Sequence, residues 1–238
     1  MHTVIDFHSH ILPAIDDGSK NRSESIAMLR ALSKQGIRHV AATPHFYANH
    51  NRPEYFLEKR NAAEELLREE MAQYGDMPRL MVGAEVYYFP GISGSDALPQ
   101  LAIADTGAIL VEMPQVPWTE QMYRELADIR SNWGLTPIIA HVDRYIGPLR
   151  TFGIPERLEE LPVLVQANAD FFLNPFTRRL ALRLLRENRI HLLGSDCHNL
   201  HDRAPNLGKA LQVIRKQLGD NAIAQINAWE ESLVRIRE

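Results

Sequence analysis

Aliphatic and β-branched residues concentrate in seven short runs, at residues 3–8, 37–43, 80–85, 108–113, 136–141, 163–168 and 190–196. Most are apolar at nearly every position rather than at alternate ones, the pattern of parallel strands covered on both faces. Between them the apolar spacing turns helical. Ile26, Leu29 and Leu32 follow an Asn21/Glu24 pair that resembles a capping box, and Gly36 stops that helix. Pro53 opens a longer helix running to about Tyr74, with Gly75 as its end signal. Asn174-Pro175 forms a cap and first-turn pair ahead of Leu180, Leu184 and Leu185. Residues 206–237 read as two helices broken near Gly219-Asp220.

Strands alternating with helices, in units of about 30 residues, predict a parallel α/β fold. Seven strands in 238 residues suit either a small barrel or an open doubly wound sheet. Neither G-x-G-x-x-G nor a Walker A sequence occurs to support the open sheet. There is no internal repeat, low-complexity tract or flexible linker, so residues 1–238 are expected to form a single domain.

The polar residues are informative by position. Nearly every predicted strand ends, on its carboxyl side, in a good metal ligand. The first ends in Asp6-Phe7-His8-Ser9-His10, the second in Thr43-Pro44-His45, the third in Glu85, the fourth in Glu112, the fifth in His141 and the seventh in Asp196-Cys197-His198; the sixth supplies only Asn168. In a parallel barrel those ends converge on one face. His8 and His10, two apart, point the same way on an extended backbone. About five histidines and four carboxylates exceed the needs of one ion and suggest two or three, bridged by a carboxylate. Such ions lower the pKa of a bridging water and clamp a phosphoryl group, which is hydrolase chemistry.

Each residue also has a plainer reading. A histidine at a strand end is more often a hydrogen-bonded structural residue, and His-x-His alone is a weak signal; it is the repetition at six strand ends that favours metal. Asp6 could orient a ligand histidine instead of binding an ion. Asp16-Asp17-Gly18 reads equally well as a turn. His2, His39 and His191 sit at strand starts and read as structural, while His50 and His201 stay open. Cys197 is expected to turn away from the metals into the interior. Arg144 and Arg203 follow ligand motifs, where a guanidinium would grip phosphate oxygens, although surface arginines are common. The aromatic residues Phe46, Tyr47, Tyr87, Tyr88, Phe89 and Trp118 could line a pocket for an aromatic group or pack the loops.

Composition narrows the class further. With 26 basic and 30 acidic residues the net charge is -4, which leaves no electrostatic footprint for nucleic acid. One cysteine allows no intrachain disulfide. No stretch is apolar for long enough to insert in a membrane, and the first residues lack signal-peptide character, so a cytoplasmic location is expected.

The opening Asp-Phe-His-Ser-His-Ile-Leu-Pro, then Asp16-Asp17-Gly18, Thr43-Pro44-His45, Gly83-Ala84-Glu85, His141 and Gly194-Ser195-Asp196-Cys197-His198-Asn199, resemble the PHP (polymerase and histidinol phosphatase) superfamily. Ser23, Glu24, Met28 and Arg203 make the chain most similar to the bacterial capsule and exopolysaccharide tyrosine phosphatases of the CpsB/YwqE type. The resemblance covers almost the whole chain. It implies a distorted seven-stranded (β/α) barrel, TIM-barrel-like, with two to three divalent ions, manganese foremost and iron or zinc as alternatives. By motif position, His8, His10, Glu85 and Asp196 would hold one ion, Asp17, His45 and His198 a second, and Glu85, Glu112 and His141 a third, with Glu85 bridging. Arg144 and Arg203 match the family's phosphate-binding arginines. The implied substrate is phosphotyrosine on a bacterial tyrosine kinase that regulates polysaccharide export. Ser19 and Cys197 stand where proline and alanine are frequent, and the loop at 86–94 matches nothing familiar. The rival expectations are a small-molecule phosphatase of the histidinol-phosphate type, an amidohydrolase-like enzyme cleaving C–N bonds, and a noncatalytic metal-binding module.

Overall fold

In the computed structural model, residues 4–146 and 154–234 are described. The expectations for His2, Thr3 and residues 235–237 lie outside that range. The strands are β1 (Asp6–Ser9), β2 (His39–Ala42), β3 (His45–Phe46), β4 (Arg79–Val82), β5 (Glu85–Tyr87), β6 (Ala108–Glu112), β7 (Thr136–Ile139), β8 (Leu164–Asn168) and β9 (Leu192–Gly194). One sheet has the order β1-β2-β4 and the other β3-β5-β6-β7-β8-β9, and each of these pairings is parallel. β9 also lies against β1: Asp196 N donates to His8 O at 2.7 Å and His10 N to Cys197 O at 2.9 Å.

Helices occupy most of the intervals: α1 (Arg22–Lys34), α2 (Pro53–Met71), α3 (Leu98–Leu101), α4 (Glu120–Trp133), α5 (Ile154–Glu159), α6 (Ala169–Leu173), α7 (Arg178–Arg186), α8 (Leu207–Leu218) and α9 (Asp220–Leu233). The α1 cap is as expected, with Asn21 Oδ1 accepting from Glu24 N at 3.0 Å. Gly36 and Gly219, with φ of 85° and 81°, follow α1 and separate α8 from α9. Asn174 behaves differently from the expectation. Its side chain accepts from Phe176 N at 2.9 Å, forming a local turn, and α7 begins only at Arg178. No helix among the described residues is long and apolar enough to cross a membrane.

The predicted run at 37–43 holds β2, with the separate β3 beyond Pro44, and the run at 80–85 divides between β4 and β5. Pro44 has no N–H to continue the ladder between β2 and β3. At Gly83 the chain passes Ile103 so closely that a Cβ would lie 2.9 Å from its Cα. Strand pairing changes at these breaks: β2 joins β1 to β4, whereas β3 pairs with β5.

Both faces of the strands are buried. Val40, Leu80, Ile109, Val111, Ile139, Val165 and Leu193 pack outward against the helices with Leu29, Leu67, Leu126 and Leu184. Phe7, Ala41, Met81, Leu110, Ile138, Leu164 and Leu192 form a second apolar cluster on the inner face. This double burial explains the continuous apolar runs. Below that inner cluster, His191 accepts a hydrogen bond from Val165 N on Nδ1 at 3.0 Å and meets Trp229 edge to face at 4.8 Å. Burial lowers its pKa to about 4. A proton on Nδ1 would also oppose the Val165 N–H.

His191 gives a stability prediction. Between pH 6.5 and about 4 the unfolded chain binds a proton there that the folded chain refuses. Stability is therefore retained above pH 6.5 and falls as the pH drops toward 4, by at most about 3 kcal/mol. Urea midpoints measured from pH 7 to 4 should fall less steeply in His191→Gln than in the parent, and equal slopes would refute the assignment.

Candidate metal centre

The inner apolar cluster forms a floor, and the polar residues stand above it on the carboxyl ends of the same strands. Glu112 is two residues beyond Leu110 and Gln166 two beyond Leu164; Glu85 is four beyond Met81 and His45 four beyond Ala41. The even spacing keeps each on the inner side. β1 carries a register irregularity between Asp6 and Ser9. Beside it Gly194 allows a close approach, since a Cβ there would sit 2.6 Å from His8 Cβ and 2.7 Å from Gln166 Nε2.

All nine candidate ligands come together. His8 Nε2 and His10 Nε2 are 3.1 Å apart. Glu85 Oε2 lies 3.2 Å from the first, 3.3 Å from the second and 2.9 Å from His45 Nδ1. Asp196 Oδ1 is 3.5 and 3.4 Å from the same two Nε2 atoms. Asp17 Oδ1 at the exposed rim faces His45 Nε2 at 3.5 Å and His198 Nε2 at 3.3 Å. His141 Nε2 reaches Glu85 Oε1 at 2.8 Å and Glu112 Oε1 at 3.4 Å. Three subsets have ligand atoms close enough to share an ion: His10, Asp17, His45 and His198; His8, His10 and Glu85; and His45, Glu85 and Glu112. The first adds His10 to the expected second set. In the third, His45 stands where the expectation had His141.

The donor chemistry fits cations. Gln166 Oε1 accepts from His141 N at 2.7 Å, so it is an acceptor, and His8 Nδ1 at 3.3 Å donates to it. His10 Nδ1 donates to Asp16 Oδ2 at 2.8 Å. Both rings therefore turn Nε2 inward, lone pair against lone pair. Glu85 Oε2 and Asp196 Oδ1, both buried, have no hydrogen-bond partner. Unpaired buried carboxylate oxygens are costly, and they face nitrogen lone pairs that need an electrophile. A proton meets part of that need. Burial opposes charge on His10, but its bond to Asp16 and the nearby carboxylates of Asp196 and Glu85 raise its pKa well above the usual value. His141 is likewise raised to about 9, as Glu112 and Glu85 outweigh burial. His198 is lowered to about 4 by burial and by the charges of His10 and Arg203. It stays neutral, with Nδ1 on Asp196 O at 3.0 Å and Nε2 accepting from Arg203 Nη1 at 2.8 Å.

The two arginines stand together at the rim. Arg144 Nη2 and Arg203 Nη2 both bind Asp196 Oδ2, at 3.0 and 2.6 Å, and Arg144 Nη1 binds Glu112 Oε1 at 3.0 Å.

Two residues that organise the site were not readable as such. Gln166 holds the His8 ring and the His141 main chain, whose φ is 32°. A buried glutamine inside an apolar strand run was the available signal. Asp16 was left open with its turn; its carboxylate binds Gly18 N, His10 Nδ1 and His45 N at 2.9, 2.8 and 3.1 Å. Despite burial, those bonds lower its pKa to about 2. Asp6 does not orient a ring: it accepts from the main-chain N of Ser195 at 2.8 Å and of His8 at 3.3 Å. Cys197 is buried and joins no ligand group, and His50 and His201 are exposed outside the cluster.

The comparisons with known proteins converge on one family. The profile described as Capsular polysaccharide synthesis, CpsB/CapC, matches residues 4–233. The chain belongs to this family. It is 33% identical to the tyrosine-protein phosphatase YwqE of Bacillus subtilis (strain 168), over 98% of this chain and 92% of that protein. It is 30% identical to the tyrosine-protein phosphatase CpsB of Streptococcus pneumoniae, over 91% of each. A crystal structure from work on YwqE and CpsB, described there as unique metal-dependent tyrosine phosphatases, superimposes with a TM-score of 0.79 at 26% identity, covering 99% of this chain and 97% of that one.

If Asp16 sets the His10 tautomer, Asp16→Asn should lower divalent-metal affinity about 10–100-fold while the fold is kept. Manganese titration by calorimetry, with circular dichroism as the fold control, measures both; unchanged affinity would remove Asp16 from the site.

Proposed function

We propose that this family member is a metal-dependent protein tyrosine phosphatase that hydrolyses phosphotyrosine, in the cytoplasm, on a bacterial tyrosine kinase controlling capsule or exopolysaccharide synthesis. The observation that carries the reading is the buried set of unpaired carboxylates and inward-facing imidazoles with two arginines on its rim. The relatives named as tyrosine-protein phosphatases supply the substrate class.

Two to three divalent ions would be held by His8, His10, Glu85 and Asp196; by Asp17, His45 and His198 with His10; and by Glu85 and Glu112 with His45 or His141. Manganese, with iron or zinc as alternatives, is the ion that the family resemblance implies, and mixed imidazole and carboxylate ligands accept several divalent ions. When bound, such ions supply a water of lowered pKa and neutralise phosphoryl charge. The remaining tasks fall to the chain. Asp16 and Gln166 keep His10 and His8 in the metal-binding tautomer. Arg144 and Arg203 are placed to receive phosphoryl oxygens, each offering paired donors. Burial opposes the charge on Arg144, but the carboxylates of Asp196, Glu85 and Glu112 raise its pKa, so it stays charged. A tyrosine leaving group makes little demand for a strong general acid, and no side chain is assigned to that role. The two sheets are read as one distorted barrel of seven staves within a single domain, β2 with β3 and β4 with β5 each forming one interrupted stave, and β9 closing on β1.

Phosphate release from a phosphotyrosine peptide and from p-nitrophenyl phosphate, with and without added manganese, tests the proposal. Activity should depend on metal and exceed that on histidinol phosphate; no turnover of either aryl substrate under several added ions would end the reading. Arg144→Ala should raise KM about 10–100-fold, from the loss of charge-assisted bonds to phosphate. His8→Ala should instead lose bound metal, by elemental analysis, together with activity.

A further inference from the structure

The aromatic residues around the site divide into two groups. Phe46, Tyr88 and Trp118 are packing residues. Phe46 is buried against Phe56 at 5.1 Å, the Tyr88 hydroxyl donates to Glu125 Oε2 at 2.5 Å, and Trp118 packs on Tyr123 and Tyr145 at 5.6 and 5.2 Å. Tyr47 and Tyr87 are only half-buried, and among the described residues neither hydroxyl has a hydrogen-bond partner. Their placement follows from register. His45 pairs with Glu85 across β3 and β5, and Tyr47 and Tyr87 each stand two residues further along the same chains. The period of two puts them on the same inner side as the ligands, about 7 Å nearer the mouth. Tyr87 is also in register with Glu112 on β6. The Tyr47 ring stacks on His45 at 5.4 Å and 30°, and its other ring neighbours are Tyr87 at 5.6 Å and His50 at 5.8 Å.

We propose that Tyr47 and Tyr87 form an aryl-binding wall one layer above the metal ligands, which selects an aromatic phosphomonoester over an aliphatic one. This rests on the phosphatase reading and adds what that reading lacks, a physical source of preference for the tyrosine ring. A phosphoryl group at the ligand layer places its ester substituent at the height of the two rings. A flat aryl group gains offset-stacked or edge contacts there, and a narrow alkyl chain gains little.

The test uses the manganese-loaded protein and two non-hydrolysable probes, phenylphosphonate and methylphosphonate, with affinities from calorimetry. The parent should prefer phenylphosphonate. The double variant Tyr47→Ala/Tyr87→Ala should lose about tenfold in phenylphosphonate affinity and keep methylphosphonate affinity within about twofold. Tyr47→Phe and Tyr87→Phe keep the rings and should keep the preference; their melting temperatures and that of the alanine variant control for folding. With p-nitrophenyl phosphate the alanine variant should show the loss in KM rather than kcat. Equal loss for both probes, or an unchanged phenylphosphonate affinity, overturns the wall while leaving the phosphatase reading in place. A parent protein that binds neither probe and turns over no aryl phosphate overturns both.

Discussion

The structure depends on a cluster of charge that the protein alone cannot balance. Glu85 and Asp196 each keep a buried oxygen without a hydrogen-bond partner, and both oxygens face imidazole nitrogens whose other ring atom is already committed. Such an arrangement is costly in a chain that must fold with only a few kcal/mol to spare. It persists because neighbouring strands lock each side chain in place and because protons on His10 and His141 offset part of the charge. A cation held among these ligands would remove the conflict.

The fold tolerates this because the cost is confined to one end of the strands. Below the site, Phe7, Met81, Leu110, Ile138 and Leu192 bury an apolar floor. Outside it, the helices cover the opposite strand faces. Each inner column then reads upward as apolar residue, ligand and rim. On β4 and β5 the column is Met81, Glu85 and Tyr87; on β2 and β3 it is Ala41, His45 and Tyr47. One rule, alternation along a parallel strand, therefore supplies core, site and mouth.

This explains what could be read from the chain and what could not. Histidines and carboxylates at six strand ends were visible because parallel strands repeat their polarity at the same end, whatever the separation in sequence. The α1 cap was visible because Asn21 and Glu24 act locally. The breaks at Thr43-Pro44 and Gly83-Ala84 were not, since what sets each break is a change of strand partner and, at Gly83, contact with Ile103. Gln166 was passed over for Asn168 because its partners, His8 and His141, are 158 and 25 residues away. Tyr47 and Tyr88 looked alike as aromatic residues after strands; only register separates the one facing the mouth from the one bound to Glu125.

Asp196 shows how closely the two halves of the site are joined. Its Oδ1 turns inward to His8 and His10 without a hydrogen bond. Its Oδ2 turns outward and takes Arg144, Arg203 and Asn168 Nδ2, the last at 2.9 Å. One carboxylate thus divides its oxygens between the histidine cluster and the two arginines of the rim. Charge placed on the inner oxygen weakens the hold of the outer one on the arginines, through the shared π system and the local field. The backbone that holds Asp196, through Asp196 N on His8 O, is the same contact that ties β9 to β1.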